Sequence, residues 1–199
     1  MSDLEHLSQQ YWNKRYLDGN TRWDLGFISP PIKLWLDKKN QKKLRILIPG
    51  AGKGHEVIYA FKKGYKNIYY MDYSNEAIQN FKSACPEFPE NQILTDDYFS
   101  FSPKIPFDII IEQTFFCAQN PNKRTEYVDK THELLSDKGK LIGLLFNVNF
   151  ETPGPPFGGN IMEYKALFEE RFNLLHFEIT NDSVAPRLGS EIWIEMVKK

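Results

Sequence analysis

The feature that most constrains this chain is a run, residues 44–48, apolar except at Arg45, that ends in Pro49-Gly50-Ala51-Gly52-Lys53-Gly54 and is followed by a helical pattern over residues 56–63 closed by Gly64. Strand, glycine loop and helix in that order make the opening step of an open α/β sheet. A second strand, residues 67–71, stops at Asp72, and Ser74 then reads as the N-cap of a helix running to about residue 84. Residues 92–95 give a short third strand. Residues 107–111 are apolar except at Asp108, as in strands buried on both faces, and precede a helix over 123–135 and a fifth strand over 140–146. A Pro/Gly loop over residues 152–159, a helix over 164–172 and two further strands, 173–180 and 191–197, complete the pattern. The expected fold is α/β: a seven-stranded mixed sheet, parallel with one antiparallel edge strand, flanked by helices.

No repeat, low-complexity tract or flexible linker divides the 199 residues, so one domain is expected, with residues 1–43 as an N-terminal lid and helices and 44–199 as the core. Twenty-five Lys and Arg stand against 26 Asp and Glu. The densest basic stretch is confined to Lys38, Lys39, Lys42, Lys43 and Arg45. A nucleic-acid binder needs a basic face to displace counterions, so a small-molecule partner is favoured. No signal-peptide pattern and no window of about 20 apolar residues is present, so secretion and membrane insertion are not expected. Cys85 and Cys117 have neither the number nor the spacing of a disulfide framework or zinc site, and both read as small apolar residues in a reducing cytoplasm. His6, His55, His132 and His176 form no ligand pattern, and no metal is expected.

In an open α/β sheet the ligand sits beyond the carboxyl ends of the strands. There Gly50, Gly52 and Gly54 allow close approach to a ligand, and Asp72 stands about 20 residues on, where a carboxylate can hold the hydroxyls of an adenosyl ribose. A structural turn also explains a glycine loop with a later acid. A dinucleotide fingerprint requires a third glycine where His55 stands, and a phosphate loop requires Ser or Thr where Gly54 stands. The spacing Gly-x-Gly-x-Gly suits S-adenosylmethionine. After the third strand, Asp97 and Tyr98 can flank an adenine, or can be a capping acid beside a core tyrosine. After the fourth, Glu112-Gln113-Thr114-Phe115-Phe116-Cys117 faces the position of the transferred group and lacks the signature of enzymes that methylate base amino groups.

The segments at residues 12–16, 21–26, 48–56 and 114–118, Pro121 with Arg124, and Gly154-Pro155-Pro156-Phe157 together resemble the thiopurine S-methyltransferase family, nearest to its thiol and halide branch, in order from about residue 12 to 191. The resemblance implies a Rossmann-like class I methyltransferase fold using S-adenosylmethionine, with S-adenosylhomocysteine as product. It implies that Trp12, Tyr16 and Trp23 line the methionine end of the cofactor, that Gly50 and Gly52 form the glycine loop, that Asp72 holds the ribose, that Asp97 and Tyr98 flank the adenine, and that Gln113 lies beside the methionine moiety. The sequence departs from the branch at Ala51, where Cys is usual, at Tyr16, where Trp is usual, and at Gln113, where Tyr is common.

Aromatic faces stabilise a desolvated sulfonium by about 0.5–2 kcal/mol each. The N-terminal aromatics therefore read as cofactor contacts as well as faces of an amphipathic helix, and residues 21–26 as a mobile lid. Phe115, Phe116, Pro156 and Phe157 are candidates for the acceptor pocket, with plain packing as the alternative. Arg124 is a candidate to orient an anionic acceptor, or an exposed helix arginine. The expected activity is transfer of methyl to a small soft nucleophile, a thiol first. The alternatives are a halide, carboxylate or metalloid acceptor, or a non-catalytic S-adenosylmethionine-binding module. The expected partner is a small-molecule methyl acceptor, with no nucleic acid, no membrane and a monomeric chain.

Overall fold

A computed structural model describes residues 7–151 and 154–199, so His6, the start of the proposed lid, and Thr152 and Pro153 of the Pro/Gly loop lie outside the described residues. Seven strands form one sheet: β1 (Arg45–Pro49), β2 (Asn67–Met71), β3 (Ile93–Leu94), β4 (Phe107–Gln113), β5 (Leu135–Phe146), β6 (Phe172–Ile179) and β7 (Glu191–Lys198). Their order is β3-β2-β1-β4-β5-β7-β6, with the first five parallel and β7 antiparallel to both β5 and β6. The reversed strand is inserted between β5 and β6. The chain leaves β1 toward β2 and β3 on one side and returns as β4 and β5 on the other. The ends of β1 and β4 therefore flank a topological switch point, where α/β sheets bind ligands.

Alternate residues of the parallel strands face opposite layers, as period-2 geometry requires. Ile46, Ile48, Ile109 and Ile111 face helices α2 (Pro30–Lys38), α3 (His55–Lys62) and α4 (Asn75–Ala84), which contribute Ile32, Val57 and Phe81. Leu47, Ile110 and Leu141 face α5 (Arg124–Leu134) and α6 (Ile161–Glu169), which contribute Tyr127 and Phe168.

The third strand is cut to two residues because a 3₁₀ turn at Glu90–Gln92 precedes it and only β2 pairs with it. The helix expected over 164–172 begins earlier, because the Asn160 side chain accepts from the N–H groups of Met162 and Glu163 and caps it there. Helix α1 (Gln9–Leu17), capped by Ser8, buries none of its residues. It is thus no core helix. Asn13 Oδ1 accepts from Ser74 Oγ at 2.8 Å, and the Tyr73 hydroxyl donates to the Leu7 carbonyl at 2.8 Å, which sets α1 across the carboxyl end of β2. Among the described residues no helix is long and apolar enough to cross a membrane.

Candidate functional site

A cleft of about 830 Å³ opens at the carboxyl ends of β1, β2 and β4, and a second of about 490 Å³ adjoins it across Tyr16, Trp23, Gly50 and Thr114. The glycine loop makes both possible. Gly50 and Gly52 have φ of +57° and +56°; a Cβ on Gly50 would stand 2.3 Å from the Phe115 ring, and one on Gly52 would stand 2.6 Å from the Tyr16 hydroxyl. Each glycine therefore admits one aromatic of the site.

Asp72, 8% exposed, closes β2. Its Oδ2 accepts the Gly52 N–H at 3.0 Å and its Oδ1 the Ser74 N–H at 2.9 Å. Burial pushes its carboxyl up to about 6, and the N–H groups of Ser74, Gly52 and Tyr73 hold back a larger rise. Asp96 and Asp97 lie farther along the same wall. Asp72, Asp96 and Asp97 are the charged side chains that line the larger cleft; among the described residues no Lys, Arg or His lines it.

Trp12, Tyr16 and Trp23 meet edge to face over the cleft, with Trp23 5.5 Å from Trp12 and 5.8 Å from Tyr16. Burial raises the Tyr16 hydroxyl well above the usual tyrosine range, with the Asp72 charge adding to the rise, so it stays neutral. Residues 21–26 are fastened to the core at two points. Asp24 Oδ2 lies 2.7 Å from Lys53 Nζ, and its Oδ1 lies 2.8 Å from His55 Nε2 while accepting the Gly26 N–H. On the other side Arg187, paired with Glu191, donates to the Trp23 carbonyl at 2.7 Å. His55 is thus not a free surface histidine. Its hydrogen bond to Asp24 raises its pKa, and the same bond, with help from Lys53, holds the Asp24 carboxyl far below the usual range.

Of the other sequence candidates, Asp97, Tyr98, Phe115 and Pro156 line the larger cleft and Gln113 the adjoining one. Two of these differ in detail from expectation. Asp97 Oδ1 caps the turn after β3 by accepting from the N–H groups of Phe99 and Ser100. Tyr98 is 3% exposed, its hydroxyl is tied to Thr131 Oγ1 at 2.7 Å and its ring stacks on Tyr127, so half-buried Phe99 is the aromatic at the rim. Gln113 Oε1 is buried with no hydrogen-bond partner, an acceptor awaiting a donor.

Three acceptor-pocket expectations are overturned. Phe116 is 1% exposed and packs in the core against Tyr127 and Tyr164, away from the cleft. Phe157 does not line it either; its N–H donates to the Cys117 carbonyl and orients the Pro/Gly loop. Arg124 is neither exposed nor at the cleft. It is claimed by Glu163 at 3.0 Å and the Gly158 carbonyl at 2.6 Å, and it lies over the rings of Phe116 and Tyr164. The end of the cleft nearest β4 is walled instead by Thr114, Phe115, Cys117, Gln119, Pro155 and Pro156. Burial raises the Cys117 thiol far above its ordinary value, and its Sγ donates to the Thr114 carbonyl, so it packs as a neutral wall.

Sequence reasoning also passed over Glu112 and Arg187. Glu112 is a carboxylate directly after three consecutive isoleucines, Ile109 to Ile111, a signal present in the sequence; Arg187 has no local signal.

The sequence pattern of the thiopurine S-methyltransferase (TPMT) family matches residues 7–197. Among curated relatives, a probable thiol methyltransferase 2 of Arabidopsis thaliana is 31% identical over 184 residues, covering 90% of this chain and 81% of that protein. Thiocyanate methyltransferase 1 of Brassica oleracea is 29% identical, covering 94% and 84%. Among solved structures, a Burkholderia thailandensis 1,6-didemethyltoxoflavin-N1-methyltransferase with bound 1,6-didemethyltoxoflavin and S-adenosylhomocysteine shares the fold with a TM-score of 0.77 at 15% identity, covering 100% and 91%. A TehB-like SAM-dependent methyltransferase of Corynebacterium glutamicum does so with a TM-score of 0.68 at 16% identity, covering 96% and 95%.

Proposed function

The chain belongs to the thiopurine S-methyltransferase family and is an S-adenosylmethionine-dependent methyltransferase, and from that premise we propose that its acceptor is a small thiol, methylated on sulfur. The observation that carries this reading is the composition of the larger cleft: aromatic faces and three carboxylates, with no cationic side chain lining it among the described residues. Such a lining favours a bound cation and leaves a carboxylate or phosphate acceptor without a partner on the protein, whereas a thiol can enter neutral and react as the thiolate against the cationic sulfonium.

When bound, S-adenosylmethionine supplies an electrophilic methyl group on a sulfonium sulfur. Asp72 accepts from ribose hydroxyls with the lone pairs left by Gly52 and Ser74. Gln113 Oε1, buried without a partner, would accept from the ammonium of the methionine moiety. Trp12, Tyr16 and Trp23, whose rings line the cleft, would face the sulfonium, and Asp97 with Phe99 would border the adenine. Phe115, Cys117 and Pro156 hold the acceptor in line and keep water out. Among the described residues no side chain lining the acceptor end is a base, and none is required. A thiol with a pKa of about 8.5 supplies thiolate at neutral pH, and the positive charge of a bound sulfonium would offset the negative charge of the thiolate.

A series of small thiols of graded pKa, followed with labelled methyl donor, tests the reading. The second-order rate should rise with the thiolate fraction of each acceptor, and the rate with iodide, which has no proton to lose, should lack that rise and vary with pH only through the enzyme's own groups. If no thiol accepts methyl while a carboxylate or amine does, the acceptor assignment fails.

A further inference from the structure

Glu112, at the end of β4, has no exposed surface and none of the roles above uses it. Both of its oxygens are engaged. Oε1 accepts the N–H groups of Phe115 at 2.7 Å and Phe116 at 2.8 Å, and Oε2 accepts the Tyr127 hydroxyl at 2.5 Å. Between the carboxylate and those amides the chain passes through Thr114 at φ +58°, a left-handed conformation that a β-branched residue holds only where its surroundings over-determine it. The turn at Thr114 swings two consecutive N–H groups onto one oxygen. It also parts two adjacent phenylalanines: Phe115 goes to the cleft wall and onto Gly50, and Phe116 into the core.

We infer that Glu112 is a positioning residue for methyl transfer: by gripping the amides of Phe115 and Phe116 from behind the cleft it sets the acceptor wall of Thr114, Phe115 and Cys117, and it takes no proton from the acceptor. The inference rests on the reading of the cleft as a methyl-transfer site. Glu112 is sealed from the acceptor by the loop it holds. Burial lifts its carboxyl to about 7, against the pull of Tyr127 and the two amides, so a limb in the rate profile near neutrality is expected from loosening of this grip. The titratable groups that face it, Tyr98, Tyr127 and Cys117, are all raised by burial and do not charge near neutrality.

Two substitutions test the inference. Glu112→Gln keeps an oxygen for the two amides and an NH₂ to which the Tyr127 hydroxyl can turn as acceptor, whereas Glu112→Ala removes the grip. The Gln variant should lose less than about threefold in kcat and in acceptor KM, whereas the Ala variant should raise acceptor KM about tenfold or more with a smaller change in kcat. The amides of Phe115 and Phe116 should stay protected from hydrogen exchange in the Gln variant and lose protection in the Ala variant. If Glu112→Ala does not fold, Tyr127→Phe, which strips only the donor to Oε2, should raise acceptor KM in the same direction and by a smaller factor. A loss of about 100-fold in kcat for Glu112→Gln, with disappearance of the neutral limb, would make Glu112 the proton acceptor and overturn the inference. An Ala variant with unchanged acceptor KM and unchanged exchange would overturn it too. The exchange measurement needs no acceptor, so failure of every thiol to accept methyl strikes the acceptor assignment and not the grip.

Discussion

Replacing Asp72 by Asn turns one carboxylate oxygen into an NH₂ where two N–H donors already point at the side chain. Asp72 satisfies both, Gly52 through Oδ2 and Ser74 through Oδ1. The amide has one acceptor oxygen, so one buried N–H faces an NH₂ and is left unpaired, at about 1–3 kcal/mol. An opposing gain is of similar size. The carboxyl sits at about 6 against an ordinary 3.8. At neutral pH that rise of about two units burdens the ionised form by on the order of 3 kcal/mol, which the neutral amide avoids.

The two effects on the fold therefore nearly cancel at pH 7, but the effect on the ligand does not. Losing a charged acceptor for the ribose should weaken binding of S-adenosylhomocysteine by about 1.5–3 kcal/mol, or about 10- to 150-fold. The pH dependence sharpens the test. Because the folded pKa is raised, the contribution of Asp72 to stability is greatest below about 4 and is lost as pH rises through about 6. The native chain should thus lose its thermal advantage over Asp72→Asn across that window. Ligand affinity runs the other way, because the ionised carboxylate is the better acceptor: affinity of the native chain should improve as pH rises through about 6, and that of the variant should not respond. Calorimetric titration from acid to neutral pH, with thermal unfolding on the same samples, reads both. Equal dissociation constants with equal pH slopes would refute the ribose assignment.

Gly52→Ala places a Cβ 2.6 Å from the Tyr16 hydroxyl at a φ of +56°. The backbone strain of about 1–2 kcal/mol should lower Tm by roughly 2–8 °C, and displacement of Tyr16 should weaken S-adenosylhomocysteine binding in a parallel titration. Asp24→Asn should return the His55 pKa, read by NMR titration, toward 6.5. Because that pKa is raised in the fold, the Asp24–His55 contact stabilises fully below about 6.5 and is lost as pH rises through the folded value, so amide protection of residues 21–26 should decline with pH in the native chain and respond less in the variant. A His55 titration unchanged by the substitution would show that Asp24 does not hold it.

The backbone scaffold and the glycine-loop end of the cleft were legible in the sequence because local rules govern them. Period-2 apolar runs, glycine at left-handed positions and an N-cap serine each act within a few residues, and residues 67–71 with Ser74 stand as read. Asp72 was legible for a related reason: short turns after parallel strands leave little freedom in where the next side chain points. The β4 end of the cleft was not legible, because there the outcome depends on which distant groups meet. Phe115 and Phe116 are adjacent and chemically identical, and one lines the cleft while the other is core. That division is made by the backbone turn at Thr114 and the buried Glu112 beneath it, with Tyr127 arriving from α5. Arg124 was open to either an acceptor or solvent until Glu163 of α6 and the Gly158 carbonyl claimed it. His55 finds Asp24 from 31 residues away, and Arg187 finds the Trp23 carbonyl from 164 away. The sequence by itself determined the strands, the glycine loop and the acid that follows it, since each is a property of local backbone geometry; the partners of long side chains were decided by the tertiary structure, since only assembled elements bring charge and hydrogen-bond donors from separate parts of the chain into one low-dielectric place.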